Sequence, residues 1–397
     1  MTASTPLLQR DVVVDRVLAA TRAVLGDAIQ PIALHEPEFR GREWDYVKEC
    51  IDTGWVSSVG SFVDRFERDL CAYTGAAHAV ATSNGTAALH ICLLLAGVRA
   101  GDEVLMPALT FIATANAVSY VSAVPHFVDS ETVSLGVDPV KLDARLRDTA
   151  RVIDGVCINQ RTGAPIRALV VMHVFGHPAD LAALDEVARR WRVVLIEDAA
   201  ESLGSTYRGR HTGNVGRLAA LSFNGNKVVT TGGGGAVLTN DAALGRRAKH
   251  LTTTARTPHR WSFLHDEVGY NYRLPNLNAA LGCAQLEQLP SFVERKRRLA
   301  ERYREAFASI GGVRFVVEPP GTASNYWLNA IVLEGDHVGR RDALLAALND
   351  AGYMARPLWT LMHRLPMYTD CPRDDLEVAE QLEARLVNVP SSAKLAG

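Results

Sequence analysis

The sequence predicts an α/β protein with a large domain, in which a mainly parallel sheet lies between helices, and a smaller α+β domain towards the C-terminal end. Three observations predict this. Short apolar runs rich in β-branched residues recur from about residue 78, and most are followed by a stretch of helical spacing. After about residue 275 the pattern changes to a long charged helix and mixed elements. The length of 397 residues suits one large and one smaller domain.

The elements of the large domain follow from local patterns. Residues 9–26 place apolar side chains at helical spacing and predict an N-terminal helix. Three strand-and-helix units follow: HAVAT with a helix from Thr86, EVLMP with a helix from Thr110, and ALVVMHV with a helix from Ala179. The runs VPHFVD, VVLIED, LAALSF and GAVLTN predict further strands of the same parallel sheet.

The C-terminal block predicts a different arrangement. Its elements are a helix over 277–307, a strand near 325–335, a helix over 338–351 and a strand over 353–358. We therefore expect an N-terminal helix or arm over 1–30, a large domain over 31–262 and a small domain over 263–397.

Composition and charge narrow the class of function. Hydrophobic residues make up 48% and charged residues 22%, as in ordinary globular proteins, and a net charge of −2 gives no reason to expect nucleic acid or an anionic membrane as partner. The six cysteines and twelve histidines show no metal-binding spacing, so we expect no metal. No apolar run is long enough to span a membrane, and the start MTASTPLLQRD does not resemble a signal peptide, so we expect a cytoplasmic protein.

A first candidate site follows the run HAVAT. In the turn Asn84-Gly85-Thr86, free backbone N–H groups at a helix start and the Thr86 hydroxyl point to one spot, where an anion can bind. Ordinary helix capping gives the same pattern and is the alternative. Neither the dinucleotide nor the triphosphate fingerprint occurs in the chain.

Two further candidates follow other strands. Asp198 ends the run VVLIED, at the edge where α/β sheets bind ligands, and a helix cap is its alternative role. Ser222 and Lys227 lie in SFNGNKVVTTGGGG, where the neighbours of the lysine in sequence are uncharged. A lysine without a partner acid keeps more free amine, which suits a Schiff base, whereas a surface lysine is the alternative. We expect the four glycines to let the backbone curl tightly beside a ligand.

An anion cradle, an acid and a lysine together predict a pyridoxal phosphate site. The cradle suits the phosphate, Asp198 the protonated pyridine nitrogen and Lys227 the aldehyde. Phe111, in PALTFIATANA, is available to stack on one face of the ring, and core packing is its alternative role.

These residues lie in motifs that resemble the DegT/StrS family of nucleotide-sugar aminotransferases, which has the aspartate-aminotransferase (type I) fold. The resemblance covers residues 31 to 394. Eight motifs carry it in order: GWVSSVGSFVDRFE, SNGTAAL, PALTFIATANA, VMHVFG, IEDAAESLGS, SFNGNKVVTTGGGG, GYNYRLPNLNAALGCAQLEQL and ARPLWTLMHRLPMY.

The resemblance implies a role for each matching position. Lys227 would be the Schiff-base lysine, and Asp198 would pair with the pyridine nitrogen. The other cofactor positions are Gly85, Thr86 and Ser222 at the phosphate, Phe111 on the ring face and Glu201 near the ring hydroxyl. Asn271, in YNYR, resembles a residue that reaches the cofactor phosphate of the partner subunit, which implies a homodimer with shared sites. Ser57 and His363 lie in stretches similar to those that line the sugar site, and His363 is alternatively a packed histidine.

The resemblance also implies an activity. We expect an amino group to pass from an amino acid, L-glutamate by resemblance, to C4 of a nucleotide-linked 4-keto-6-deoxy sugar, with Lys227 as general base and acid. Gly233 stands where many members have a glutamate, which resembles a subgroup acting on UDP-linked 2-acetamido-4-keto-6-deoxy sugars. Lys227 argues against the dehydratase branch, which has histidine there. The alternatives are amination at C3, sugar dehydration and a regulatory sensor with the same fold.

Overall fold

The computed structural model of the chain describes residues 12–396. Its α-helices are α1 (Val12–Leu25), α2 (Glu43–Thr53), α3 (Ser61–Thr74), α4 (Gly85–Leu95), α5 (Ile112–Tyr120), α6 (Pro139–Thr149), α7 (Leu181–Arg190), α8 (Ala242–Thr252), α9 (Asn276–Phe307), α10 (Arg341–Asp350) and α11 (Glu377–Arg385). Short 3-10 helices lie at Val174–Gly176, Gly335–Arg340, Met362–Arg364, Pro366–Tyr368 and Ala393–Ala396.

The strands are mostly short. They are β1 (His78–Thr82), β2 (Glu103–Pro107), β3 (Val124–Val128), β4 (Ala150–Ile153), β5 (Val156–Asn159), β6 (Pro165–Met172), β7 (Val194–Asp198), β8 (Thr206–Tyr207), β9 (Arg210–His211), β10 (Leu218–Ser222), β11 (Gly235–Thr239), β12 (Arg256–Thr257), β13 (Leu264–His265), β14 (Val313–Phe315), β15 (Thr322–Ala323), β16 (Asn329–Leu333), β17 (Arg356–Pro357) and β18 (Leu386–Val389).

A nine-stranded sheet forms the centre of the molecule. Seven strands run in the order β1-β11-β10-β7-β6-β2-β3, and the hairpin β4–β5 joins through β5 to β6. The pairs β10–β7, β7–β6, β6–β2 and β2–β3 are parallel. The predicted α/β class and the mainly parallel sheet are therefore confirmed.

One strand of this sheet has a direction that differs from the prediction. The run GAVLTN forms β11, which is antiparallel to both β1 and β10, whereas we expected it to be parallel. The chain between β10 and β11 contains no helix, so it turns back as a hairpin. A parallel pair needs a longer crossover connection, usually a helix.

Helices cover both faces of the sheet because its buried side chains alternate along each strand. On β6, Val170 and Met172 face one hydrophobic core, and Leu169 and Val171 face another. The first core also contains residues of α3, α4 and the first half of α9, while the second contains residues of α6 and α7. The carboxyl ends of the parallel strands are left to hold a site.

The C-terminal part is built on a second, antiparallel sheet. Its strand order is β14-β16-β18-β17, and a third core joins it to α1, α10 and the second half of α9. The predicted N-terminal helix is found as α1, although the first residues of the predicted range lie outside the described part. Since α9 contributes side chains to two cores, it links them, and the boundaries at 30/31 and 262/263 remain predictions.

The other predicted elements differ from the structure mainly at their ends. Helices predicted from Thr86, Thr110 and Ala179 begin at Gly85, Ile112 and Leu181. The predicted C-terminal elements are found as α9, β16, α10 and β17, of which β17 is only two residues long. Among the described residues, no helix is long and apolar enough to cross a membrane.

Candidate active site

A cavity of about 290 Å³ lies where the predicted site residues come together, at the carboxyl ends of strands of the central sheet. Seven of the ten predicted positions line it: Gly85, Thr86, Phe111, Asp198, Glu201, Ser222 and Lys227. The lining also includes Asn84 of the predicted turn, and residues that sequence reasoning missed, chiefly Met172, Asn224, Asn226, Trp327 and Trp359. Segments far apart in sequence therefore form one site.

The proposed anion cradle is formed where α4 begins beside the end of β10. The Asn84 side chain caps α4 by accepting a hydrogen bond from the backbone N–H of Ala87 at 2.8 Å. Capping therefore occurs at this turn, and the same turn lines the cavity with the positive end of the helix dipole, which suits an anion.

Two glycines allow the close approach that the cradle requires. A Cβ on Gly85 would lie 2.8 Å from the Cβ of Ser222, and a Cβ on Gly235 would lie 2.5 Å from the backbone carbonyl of Asn84. Either methyl group would displace the turn or the strand end. Of the four glycines in sequence, Gly232 has a left-handed φ of +77°, whereas Gly233 faces open space. Gly232 thus forms a turn and Gly235 allows a close contact, whereas we expected the four glycines together to curl the backbone beside a ligand.

Asp198 lies at the end of β7, with 2% of its surface exposed. Its Oδ2 accepts a hydrogen bond from the Thr114 hydroxyl at 2.7 Å, and its Oδ1 accepts one from the backbone N–H of Ala200 at 3.2 Å. Burial raises the pKa of this carboxyl above its ordinary value. No helix follows β7 directly, so Asp198 is not a helix cap, and a buried acid short of positive charge fits a protonated ring nitrogen.

Lys227 enters the same cavity with 13% of its side chain exposed, so it is not a surface lysine. Its Nζ lies 3.3 Å from Oε1 of Glu201, whose side chain is buried. The expectation that the lysine has no partner acid is therefore wrong. Uncharged neighbours in sequence did not reveal this contact, because the acid comes from the turn after β7.

Glu201 is held from a second side. Its Oε2 accepts a hydrogen bond from the backbone N–H of Phe175 at 2.9 Å. Burial raises the pKa of Glu201 to about 7, although the nearby Lys227 opposes the shift. A carboxyl with this pKa changes charge near neutral pH, beside the amine expected to react.

Aromatic side chains enclose the cavity. The Lys227 ammonium lies 3.8 Å from the centre of the Trp327 ring. Phe111 follows β2, is 49% exposed and meets Trp359 edge to face, with ring centres 6.2 Å apart. An exposed ring that lines the cavity is not core packing, so it is free to stack on a flat ligand. Trp327 was missed because it lies in none of the eight motifs, and Trp359 was missed because only His363 was singled out in its motif, ARPLWTLMHRLPMY.

Three predicted residues do not line the cavity. Ser57 is exposed, and its carbonyl accepts a hydrogen bond from the backbone N–H of Asn276 at 2.6 Å. The His363 ring lies 3.1 Å from Glu380, and burial lowers its pKa. Asn271 is exposed, and its side chain accepts a hydrogen bond from Arg273 at 3.3 Å. Within one subunit, the structure does not bring these three to the cavity.

The expected absence of a metal stays a prediction. Among the described residues, His250, Asp266 and Glu267 place possible ligand atoms within 4.8 Å of one another on the surface. The His250 ring is 2.7 Å from Asp266, and Arg247 pairs with Glu267. These contacts give the polar atoms of the cluster protein partners without a metal.

Comparison with known proteins agrees with this geometry. Residues 37–397 match the DegT/DnrJ/EryC1/StrS aminotransferase family. The chain is 37% identical over 367 residues to the GDP-perosamine synthase of Caulobacter vibrioides, covering 92% of this chain and 94% of that protein. It is 36% identical over 368 residues to the putative pyridoxal phosphate-dependent aminotransferase EpsN of Bacillus subtilis, covering 92% of each chain.

A solved structure shows the same architecture. The aminotransferase TlmJ from Streptoalloteichus hindustanus superposes with a TM-score of 0.81 at 28% identity, over 90% of this chain and 93% of that one. The chain belongs to the DegT/DnrJ/EryC1/StrS aminotransferase family and has the type I fold. It is a sugar aminotransferase whose cofactor is pyridoxal phosphate.

Proposed function

We propose that this member of the DegT/DnrJ/EryC1/StrS family transfers an amino group from L-glutamate to C4 of a nucleotide-linked 4-keto-6-deoxy sugar. In this exchange the amino acid leaves as its 2-oxo acid, and the keto oxygen of the sugar is replaced by an amino group. The observation that carries the proposal is the convergence of Lys227, Asp198 and the cradle around one cavity. The product would serve the synthesis of a bacterial polysaccharide or other glycan.

Each residue of the cavity has a separate task in this proposal. Pyridoxal phosphate supplies an electron sink that stabilises negative charge on the carbon next to the reacting nitrogen. The Lys227 amine takes a proton from the amino-bearing carbon of the donor and returns one to C4 of the acceptor. Asp198 would hold the ring nitrogen in its protonated form, and the cradle at Gly85, Thr86 and Ser222 would bind the phosphate. Phe111 would cover one face of the ring.

The nucleotide is the finer part of the proposal. The sequence resemblance at Gly233 favours a UDP-linked 2-acetamido-4-keto-6-deoxy sugar, whereas the name of the Caulobacter relative refers to a GDP-linked sugar. A Cβ on Gly233 would meet nothing within 4 Å, so an acid would fit there without moving the site. Gly233 is a single position that the structure leaves unconstrained. It therefore supports the UDP-linked sugar less strongly than the similarity over most of the chain supports the GDP-linked sugar. We therefore place the GDP-linked acceptor first and the UDP-linked one second.

A panel of acceptors tests the proposal. The holoenzyme is incubated with isotopically labelled L-glutamate or L-glutamine and with GDP-, UDP- and dTDP-linked 4-keto and 3-keto sugars. Mass spectrometry then shows which sugar gains labelled nitrogen. Labelled amine at C4 of the GDP-linked sugar supports the proposal. Amination at C3, or loss of water without nitrogen transfer, contradicts it.

We also infer that the chain works as a homodimer with shared sites, in the cytoplasm. Apolar side chains are exposed on the segment around β13, where Trp261, Phe263 and Val268 are 71%, 74% and 80% exposed. Asn271 follows this segment and is exposed outside its own cavity, as a residue that serves a partner would be. All six cysteines are free, which suits a reducing compartment.

A further inference from the structure

The Lys227 ammonium has a second partner besides Glu201. It lies over the face of Trp327, 3.8 Å from the ring centre, and Trp327 is only 4% exposed. A cation over an indole face is attracted by the ring quadrupole, and the attraction is larger when the pair is shielded from water. Trp327 therefore contacts the reacting amine directly.

Trp327 is also fixed to the loop that carries the lysine. Its indole N–H donates a hydrogen bond to the carbonyl of Asn226, the residue before Lys227, at 2.7 Å. On the other side, the carbonyl of Trp327 accepts a hydrogen bond from the amine of Lys296 at 3.2 Å. Lys296 is buried, and burial lowers its pKa far below the ordinary value. The ring thus has little freedom to leave the lysine.

The same segment is fixed to the turn that carries Glu201. The side-chain N–H groups of Asn325 donate hydrogen bonds to the carbonyls of Glu201 and Leu203 at 2.8 and 2.9 Å. Its side-chain oxygen accepts one from the backbone N–H of Trp327 at 2.8 Å. Residues 325–327 therefore set the separation between the acid and the lysine.

Backbone strain accumulates around this segment. Tyr326 has a φ of 48° and Phe175 a φ of 56°, a left-handed region that bulky residues avoid. Phe175 is the residue whose N–H binds Glu201, and a Cβ on the adjacent Gly176 would collide with the Asn325 side chain. Unfavourable backbone conformations at two such residues indicate that the position of this segment matters for the site.

We propose that Trp327 is a positioning residue whose ring face, together with Glu201, holds the Lys227 ammonium whenever the lysine is not joined to the cofactor. Transamination has two half-reactions, and the lysine would be free of the cofactor between them. An amine fixed at one place is ready for the next proton transfer, whereas a free lysine samples many rotamers. The proposal rests on the aminotransferase activity and not on the identity of the sugar.

Trace labelling of the cofactor-free protein tests this directly. Acetic anhydride is added in small amounts, and mass spectrometry gives the labelling of Lys227 relative to exposed Lys48. In Trp327→Leu the amine loses its aromatic partner, so its relative labelling should rise about three- to ten-fold. Trp327→Phe keeps a weaker ring and should give an intermediate rise. This readout needs no sugar and no turnover, so a failed acceptor panel leaves it interpretable.

Two controls separate positioning from other effects. Trp191 is equally a buried tryptophan with one indole hydrogen bond, to Asp143 at 2.9 Å, so Trp191→Leu reports general loosening and should leave the ratio unchanged. Trp359→Leu opens the same cavity but keeps the contact between Trp327 and Lys227. It should therefore raise the labelling of Lys227 relative to Lys48 less than Trp327→Leu does. An equal rise in Trp359→Leu, or parental labelling in a folded Trp327→Leu protein, overturns the proposal. If Trp327→Leu does not fold, parental labelling in Trp327→Phe overturns it.

Discussion

The ε-amino nitrogen of Lys227 lies 3.3 Å from Oε1 of Glu201, and 13% and 1% of the two side chains are exposed. A buried amine and a buried carboxyl at this distance each compensate the cost of burying the other, so removing one partner leaves the other buried and unpaired. The carboxyl is also the group whose pKa is raised to about 7. The cofactor-free protein therefore places this lysine beside a buried acid that changes charge near neutral pH, rather than leaving it as an isolated amine.

Loss of the lysine amine should stop the reaction. We expect Lys227→Ala to lower turnover by at least about 10²–10⁴-fold, since among the described residues that line the cavity no other amine can move the proton. It should also abolish the long-wavelength absorbance of a lysine-bound cofactor. Lys249→Ala is the matched control, because Lys249 also pairs with a glutamate, Glu67, at 2.6 Å, but outside the cavity. An active Lys227→Ala protein contradicts the assignment.

The raised pKa of Glu201 should make stability depend on pH. The folded chain keeps a proton on this carboxyl up to about pH 7, whereas the unfolded chain loses it near 4.5. The folded state thus binds more protons between these values, and the free energy of unfolding falls as pH rises from 4.5 to 7. With about 1.4 kcal/mol per pKa unit, the fall amounts to roughly 3 kcal/mol.

Denaturant unfolding of the cofactor-free protein at several pH values measures this fall. Glu201→Gln removes the ionisable group and keeps the side-chain volume. The free energy of unfolding of this variant should therefore fall by roughly 3 kcal/mol less than that of the parent over the same pH range. Glu305→Gln changes an exposed glutamate and should retain the parental slope. If Glu201→Gln and the parent have the same slope, Glu201 does not titrate in this range.

A shared site predicts complementation between two defective chains. Lys227→Ala lacks the amine, and Asn271→Ala should lower affinity for the cofactor in the partner's cavity. Mixed dimers contain one cavity with a native lysine and a native asparagine from the other chain. Activity measured at a limiting cofactor concentration should therefore rise when the two proteins are unfolded and refolded together. If Asn271 acts in its own subunit or in neither, co-refolding gives no increase.

Much of the fold and part of the candidate site could be predicted from the sequence, because both depend on local patterns. Apolar runs located the central strands, and the residues at their ends, Gly85, Asp198 and Ser222, are found in one cavity. The direction of β11 was wrong because direction depends on what the connection can span, and the run of apolar residues is the same either way.

The remaining part of the site depends on long-range contacts. Trp327 and Trp359 lie in the cavity only because the C-terminal part packs against the large sheet, and no local spacing encodes that packing. The Glu201–Lys227 pair joins residues 26 positions apart, one on the segment after β7 and the other on the segment after β10. The role of Asn271 is still further from any local pattern, since its proposed partner is on another chain.

The cradle gives the last prediction. A Cβ on Gly235 would lie 2.5 Å from the backbone carbonyl of Asn84, which belongs to the turn that would hold the phosphate. Because a backbone neighbour cannot rotate away, Gly235→Ala should displace this turn at a cost of about 1–3 kcal/mol. That cost corresponds to about five- to 150-fold weaker cofactor binding, measured by reloading cofactor-free protein at increasing concentrations.

A neighbouring glycine supplies the matched control for that measurement. Gly233 has no left-handed φ, and a Cβ there would meet nothing within 4 Å, so Gly233→Ala should bind the cofactor as the parent does. Equal affinities for the two variants would show that the contact between Gly235 and Asn84 does not shape the cradle. A loss confined to Gly235→Ala would instead tie phosphate affinity to the distance between β11 and the start of α4. In that case the role of the glycine run lies mainly in bringing two backbones together, and flexibility after Lys227 is secondary.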